Sequence, residues 1–355
     1  MKTFAVYNFG CRVNAAETNQ FAQSLIDNNF VPLPQEGSKG VSPDLIFINT
    51  CSITKKANIE SLGLIRRLQK NHPTAKIIVS GCANLKNLTN LDNISLLTNQ
   101  QKEDKLIDLN CAYTHKIKDK FSHTDRFLLK VQSGCTAFCS YCTVPNKRPY
   151  LYSLSIKNAI DTTKKTVKDG YKEVIITGVN LNQYTPGFSN LIGELLEKTD
   201  ISLISFGSIP VLCIDHQFID LLKKYPTRLS RFLHIPLQSG SDKILKLMNR
   251  SYNKKNILEK FNLLKKIKDL SFGTDIIVAF PGETDIDFQK TYDLCKEIEF
   301  SKIHVFRYSP RPNTSARKLF LESKKISQNV AKTRSQKLRT LISQTKLPSH
   351  QKQEN

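Results

Sequence analysis

No stretch of this 355-residue chain stays apolar for the roughly 18 to 20 residues that a membrane-spanning helix needs. Its opening, Met1 to Asn14, has neither the apolar core nor the small-residue cleavage site of a secretory signal. Together these absences predict a soluble, cytoplasmic protein with no membrane partner. Acidic residues are scarce: 31 Asp and Glu face 53 Lys and Arg, for a net charge of +22. Such a surplus attracts phosphate and releases its counterions, so nucleic acid is the first partner to consider; a set of merely solvated lysines is the plain alternative. Disulfides are not expected, because the nine cysteines are an odd number in a chain without a secretion signal. Reduced thiols that cluster in sequence are more often ligands of metals or clusters.

The length suits two domains. Strand and helix patterns alternate from the start: strand over Thr3–Gly10, helix over Ala15–Asn28, strand over Asp44–Thr50, helix over Ala57–Asn71, strand over Lys76–Gly81. A further strand and helix follow between Ile94 and Cys111, then a polar linker at 113–124. This predicts an α/β fold whose first domain, 1–112, is an open parallel sheet of flavodoxin-like type. From 125 to 323 the alternation resumes, with strands near 127–133, 173–178, 203–207, 231–237, 273–280 and 302–308. Six strand–helix units suggest a partial (β/α)6 barrel. A basic tail, 324–355, has weak helical spacing and is expected either to lie solvated or to touch RNA as an arm.

The segment Lys130-Val-Gln-Ser-Gly-Cys135-Thr-Ala-Phe-Cys139-Ser-Tyr-Cys142 places three thiols on the loop after the first barrel strand. Barrel enzymes put their chemistry on such loops. One short loop can wrap three corners of a cubane iron–sulfur cluster, and three thiolates leave the fourth iron open for a substrate. Phe138 and Tyr141 would shield it from water. Zinc is the rival, but it normally wants four Cys or His ligands, and no local fourth is present. Cys-x-x-x-Cys-x-x-Cys after a barrel strand resembles the radical S-adenosylmethionine superfamily. The resemblance implies a [4Fe-4S] cluster on Cys135, Cys139 and Cys142 that cleaves S-adenosylmethionine to a radical, for a substrate carbon no side-chain base can activate.

Cys11, Cys51 and Cys82 each follow one of the first three long strands, in Gly10-Cys11-Arg-Val-Asn14, Asn49-Thr-Cys51 and Ser80-Gly-Cys82. Parallel strands present their carboxyl ends along one edge, so these thiols can converge despite their separation. Three buried cysteines that merely end strands are the alternative. Two such sets in this order resemble the methylthiotransferase family over about residues 3 to 320. Further shared motifs are Thr177-Gly-Val-Asn180, His234-Ile-Pro-Leu-Gln-Ser-Gly-Ser241, Leu247-Met-Asn-Arg250, Gly273-Thr-Asp-Ile-Ile-Val-Ala-Phe-Pro-Gly-Glu283 and Tyr308-Ser-Pro-Arg311. Gly10-Cys-Arg-Val-Asn-Ala-Ala-Glu17 is most similar to the MtaB branch, associated with threonylcarbamoylated adenosine beside the tRNA anticodon.

The resemblance implies two 4Fe-4S clusters, the first on Cys11, Cys51 and Cys82 to supply or carry sulfur, the second to make the radical. It also implies two S-adenosylmethionine molecules, one to methylate the sulfur and one to activate adenine C2. Thr177, Gly178, Asn180, Gln238, Ser239, Asp275 and Gly282 are the expected cofactor contacts, each of which could instead be an ordinary turn or strand-end residue. The chain departs from the family at Asn146-Lys-Arg-Pro-Tyr150, at Phe206-Gly-Ser-Ile-Pro-Val211 and at Asn313. No RNA-binding TRAM domain is evident, which leaves the basic surface to hold a tRNA anticodon loop whose unstacked bases can be splayed out. The sulfur donor and the electron donor are not identified by any motif. Rival functions are the same chemistry on isopentenylated adenosine or on a ribosomal-protein aspartate, and, in another class, a zinc-containing basic RNA-binding protein. Cys111, Cys213 and Cys295 read as core residues.

Overall fold

The computed structural model describes residues 1–33, 42–51, 55–83, 85, 88, 92–108, 126–323 and 325–343. The expected linker at 113–124 and Cys111 lie outside them. The chain divides into two compact units. The first comprises Met1–Gly134, Asn146–Val179 and Glu194–Ser202; the second comprises Cys135–Pro145, Asn180–Gly193 and Leu203–Asn355.

The first unit starts with β1 (Thr3–Asn8), α1 (Arg12–Asp27), β2 (Val31–Pro32), β3 (Leu45–Thr50), α2 (Lys55–Asn71), β4 (Lys76–Gly81), β5 (Ile94–Leu96) and α3 (Asn99–Asp108). The strands form one parallel sheet in the order β2-β1-β3-β4-β5, the flavodoxin-like winding. Both faces are covered, as the unbroken apolar runs of β3 and β4 require. Ile46, Ile48, Ile77 and Val79 pack with Ile65 and Leu68 of α2, while Phe47 and Ile78 pack with Phe21 and Ala22 of α1. The unit continues with β6 (Arg126–Ser133), which pairs antiparallel with β7 (Tyr152–Ser153) and parallel with β8 (Glu173–Gly178). Between them lie α4 (Val144–Lys147) and α5 (Ile156–Lys168). Helix α1 begins at Arg12, three residues before the expected Ala15, because Gly10 at φ 102° turns the chain and extended Cys11 takes the N-cap. Two-residue β2 and β7 are too short to leave a period in sequence.

After α6 (Phe188–Lys198) the second unit contains β9 (Leu203–Phe206), α7 (His216–Lys224), β10 (Phe232–His234), α8 (Asp242–Leu247), α9 (Lys254–Leu264), β11 (Ser271–Val278), α10 (Asp285–Ile298), β12 (Lys302–Arg307), α11 (Ser315–Glu322) and α12 (Gln328–Ser343). β10, β11 and β12 are parallel neighbours in that order. All six strands expected for the barrel are present, in an α/β fold. β10 stops at His234 rather than near 237, since Pro236 has no N–H to donate to a ladder. β11 stops at Val278, where Ala279 turns to φ 58° two residues before Pro281. The tail is the larger correction. α12 packs onto β12, with Leu338 fully buried, Ala331 4% exposed, and Arg334 paired to Glu283 and Asp285. Through Ser343 it is neither a solvated helix nor a free arm; 344–355 lie outside the described residues. No described helix is long and apolar enough to cross a membrane.

Candidate active site and its cysteine clusters

In the second unit the Cys135–Cys142 loop is pinned from both sides. The Ser140 N–H donates to the Met248 carbonyl (3.0 Å), and the Ala316 N–H donates to the Ser140 carbonyl (2.9 Å). Asn249 Nδ2 donates to the carbonyls of Ala137 (3.2 Å) and Phe138 (3.0 Å), and so holds Phe138 at φ 46°, left-handed and unusual for an aromatic residue. Phe138 is exposed, and Tyr141 packs against Ile244, Met248 and Phe280.

Each of the three thiols meets an N–H donor. Asn180 Nδ2 lies 3.5 Å from Cys135 Sγ, Arg250 Nη1 3.1 Å from Cys139 Sγ, and the Val144 N–H 3.4 Å from Cys142 Sγ. The Ala137 N–H adds a second contact to Cys135 (3.5 Å). A donor on every sulfur suits a thiolate or a cluster sulfur, which accepts, and such bonds tune a cluster's potential. Burial pushes the Cys142 thiol up to about 11, with Cys139 and Cys135 adding to the rise, so metal must displace a proton there. Burial opposes the charge on Arg250, but Tyr141, Tyr252 and Cys139 outweigh it and raise its pKa. Its guanidinium donates to the Tyr252 hydroxyl (2.9 Å) and stacks 4.7 Å from that ring.

The first unit builds a second thiol set at the carboxyl edge of its sheet. Cys11 follows β1, Cys51 follows β3 and Cys82 follows β4. A side chain on Gly10 would place its Cβ 2.6 Å from Cys51 Sγ, and Cys11 and Cys82 lie within electrostatic reach of each other and of Arg148. Asn14 lies 3.8 Å from Cys11 Sγ and Asn99 3.9 Å from Cys82 Sγ. Burial pushes the Cys11 thiol up, opposed by the Asn14 backbone and Arg148.

Behind these thiols lies a buried charge network that sequence patterning did not reveal. Glu17, fully buried, pairs with Lys102, Lys130 and Arg148, and Lys130 also binds Glu103 at 2.7 Å. Arg148 reaches Asn14 (3.0 Å), and Lys102 reaches Asn49 (3.2 Å) and Asn99 (3.0 Å). Burial alone would raise the pKa of Glu17, yet Lys102, Arg148 and Lys130 carry it well below the usual carboxylate range. Three cations against two carboxylates leave one surplus positive charge beside the thiols. Its stabilisation is present above the ordinary 4.5 of a glutamate and is lost in acid below it.

The expected cofactor contacts divide. Thr177 is buried near the end of β8 and Gly178 closes that strand. Asn180 stands at Cys135. Gln238 is left-handed (φ 71°) and bridges to β11: its N–H donates to the Asp275 carbonyl, and its own carbonyl accepts from Ile277. Gly282 is left-handed (φ 86°), with its carbonyl accepting from Lys243 Nζ at 2.8 Å. Ser239 is fully buried and its hydroxyl is engaged by Thr291 and the Ser241 N–H, which makes it a support of the turn. The Asp275 carboxylate stands between His234 and His304. Arg250 and Asn249 belong to the Leu247-Met-Asn-Arg250 motif, but the Cys139 thiol and the Phe138 carbonyl that they meet are 111 residues away, beyond any local pattern.

The donor set fits cubane clusters better than zinc. Two sulfurs on one tetrahedral zinc sit roughly 3.8 Å apart. Among the described residues no three thiols come within 4.8 Å of one another; the trio that does is His234, Asp275 and His304.

Residues 129–295 match the Radical SAM superfamily, and residues 3–122 match the family described as Uncharacterized protein family UPF0004. The chain is 35% identical over 343 residues to the threonylcarbamoyladenosine tRNA methylthiotransferase MtaB of Thermotoga maritima, covering 90% of this chain and 77% of that protein. It is 30% identical to the Aquifex aeolicus protein of the same name, over 95% of this chain and 87% of that one. The tRNA-2-methylthio-N(6)-dimethylallyladenosine synthase of Thermodesulfovibrio yellowstonii is 33% identical, over 90% and 79%. Among solved structures, the radical S-adenosylmethionine methyltransferase TsrM of Kitasatospora setae shares the fold, with a TM-score of 0.68, 12% identity and coverage of 89% and 77%.

Proposed function

This chain belongs to the radical S-adenosylmethionine superfamily and, within it, to the MtaB-like tRNA methylthiotransferases, and on that footing we propose that it transfers a methylthio group to C2 of N6-threonylcarbamoyladenosine next to the anticodon of tRNA. The observation that carries the reading is the presence of two thiol trios, each provided with N–H donors or cationic charge, in a chain of this family.

A [4Fe-4S] cluster with S-adenosylmethionine supplies a carbon radical able to take hydrogen from an unactivated C–H. Cys135, Cys139 and Cys142 would hold that cluster, with Arg250 and Asn180 donating to its sulfur ligands. Thr177, Gly178, Asn180, Gln238 and Gly282 are the proposed contacts to S-adenosylmethionine, from strand ends and left-handed turns where the backbone can approach a ligand. Asp275 and Ser239, first expected in that set, are engaged by neighbouring side chains. Cys11, Cys51 and Cys82 would hold a second [4Fe-4S] cluster that supplies or carries sulfur. The one surplus positive charge of the network that includes Arg148 offsets part of the anionic charge that three thiolates bring.

The test is mass analysis of tRNA nucleosides from a strain lacking the gene. Methylthio-threonylcarbamoyladenosine should vanish, return with the native gene, and stay absent with Cys139→Ala. The similar identity to a dimethylallyladenosine synthase favours isopentenylated adenosine as the second reading. Loss of that nucleoside's methylthio group instead would select it, and loss of a mass increment from a ribosomal protein would remove tRNA as the substrate.

A further inference from the structure

Three adjacent parallel strands of the second unit carry His234, Asp275 and His304. Asp275 is paired across from His304, and His234 across from Gly273, two residues earlier on β11. The pleat therefore sends all three side chains to one face. On β12 the opposite face is closed by buried Ile303 and Val305, while His304 and Phe306 on this face are 46% and 41% exposed. The face is open to solvent at β12 and partly covered toward Asp275 and His234, which are 22% and 12% exposed.

Nε2 of His234 lies 3.1 Å and Nδ1 of His304 3.2 Å from the same atom, Oδ1 of Asp275, and the ligand atoms all fall within 4.8 Å of one another. The rings stand 5.2 Å apart. His234 can lie across the strand because residue 273 is glycine: a Cβ there would sit 2.8 Å from its Nδ1 and 2.7 Å from the Phe232 ring.

We propose that His234, Asp275 and His304 form a divalent transition-metal site, separate from the cluster cysteines. Two imidazoles and one carboxylate on a single face are a donor set that first-row divalent ions accept while keeping other positions open. The spacing agrees with it. Neighbouring ligands of an octahedral ion bonded at about 2.1 Å lie roughly 3.0 Å apart, near the 3.1 and 3.2 Å seen here. The same distances also suit imidazole N–H···carboxylate hydrogen bonds, so an ion binding there would displace those protons. An anion is disfavoured at the same point, because the Asp275 carboxylate would face it. The three ligands come from three hydrogen-bonded strands, Asp275 from the central one and His234 from the end of its neighbour, so the sheet fixes their spacing. Beside half-exposed His304, an oxygen-bearing ligand could complete the coordination.

Titration of Mn2+ into the cluster-loaded enzyme, read as loss of the room-temperature resonance signal of the free ion, should show one site per chain. His304→Ala, at a half-exposed position, and Asp275→Asn, which keeps shape without charge, should each weaken that binding at least tenfold; His216→Ala should leave it unchanged. Circular dichroism identifies any variant that does not fold, and His304→Ala decides the matter if Asp275→Asn is one. Absence of binding by the native enzyme, or unchanged binding by either folded variant, overturns the proposal.

Discussion

A single guanidinium, that of Arg250, serves the thiol of Cys139 and the hydroxyl and ring of Tyr252 at once. Lysine carries the same charge but not the planar fork, so Arg250→Lys should keep the fold and lose the N–H···S contact. The barrel cluster should then become harder to reduce, seen as a lower midpoint in a resonance-monitored redox titration. An unchanged midpoint would confine Arg250 to packing. Gly10 is the second decisive position. At φ 102° and with Cys51 Sγ 2.6 Å from where a Cβ would be, alanine is strained and also pushes a proposed ligand aside. Gly10→Ala should lose one cluster, about four of roughly eight irons per chain, while cleavage of S-adenosylmethionine continues. Full iron retention by that variant would detach Gly10 from the first cluster. The cysteines themselves were legible because strand ends and short spacings are local facts. Arg148 was not, since its partner Glu17 is 131 residues away.

At the scale of elements, α12 shows how a charge count misleads. Its basic residues suggested an exposed arm, yet Arg334 is the counter-ion of buried Glu283, whose carboxyl also accepts the Ala279 N–H (2.7 Å). Burial pushes Glu283 up to about 7 from its ordinary 4.5, with Arg334 and the Ala279 N–H working against the rise. Between those values the folded chain binds the extra proton, so this group costs stability as pH rises through that window, on the order of 3 kcal/mol once complete. Removing Arg334 leaves a buried carboxylate unpaired. Arg334→Met should therefore lose about 3–5 kcal/mol at pH 8 and clearly less at pH 5, where Glu283 is protonated. Urea denaturation at the two pH values measures the difference; equal losses would mean that α12 is held by Leu338 and Ala331 alone. β10 ends at His234, two residues short of Pro236, and β11 at Val278, just before left-handed Ala279, one limit set by hydrogen bonding and the other by backbone geometry.

For the whole molecule the governing quantity is the net charge of +22. If that surplus holds the phosphates of tRNA, affinity should fall on the order of a thousandfold between roughly 50 and 200 mM salt, the loss expected for at least six contacts. Filter binding or anisotropy with the unmodified substrate tRNA measures it, and a flat salt dependence would move recognition to uncharged contacts.

By itself the sequence determined the α/β alternation, the parallel sheets and the placement of six cysteines after strands, three of them on one loop. Hydrophobic period, strand-end placement and spacings of two or three residues are set along the chain. Only the tertiary structure decided which side chains stand behind those thiols. The pairing of Glu17 with Arg148, Arg250 with Cys139, Arg334 with Glu283, and Asp275 with two histidines joins residues from 29 to 131 positions apart. Such contacts depend on how strands and helices pack, and no local pattern along the chain encodes them.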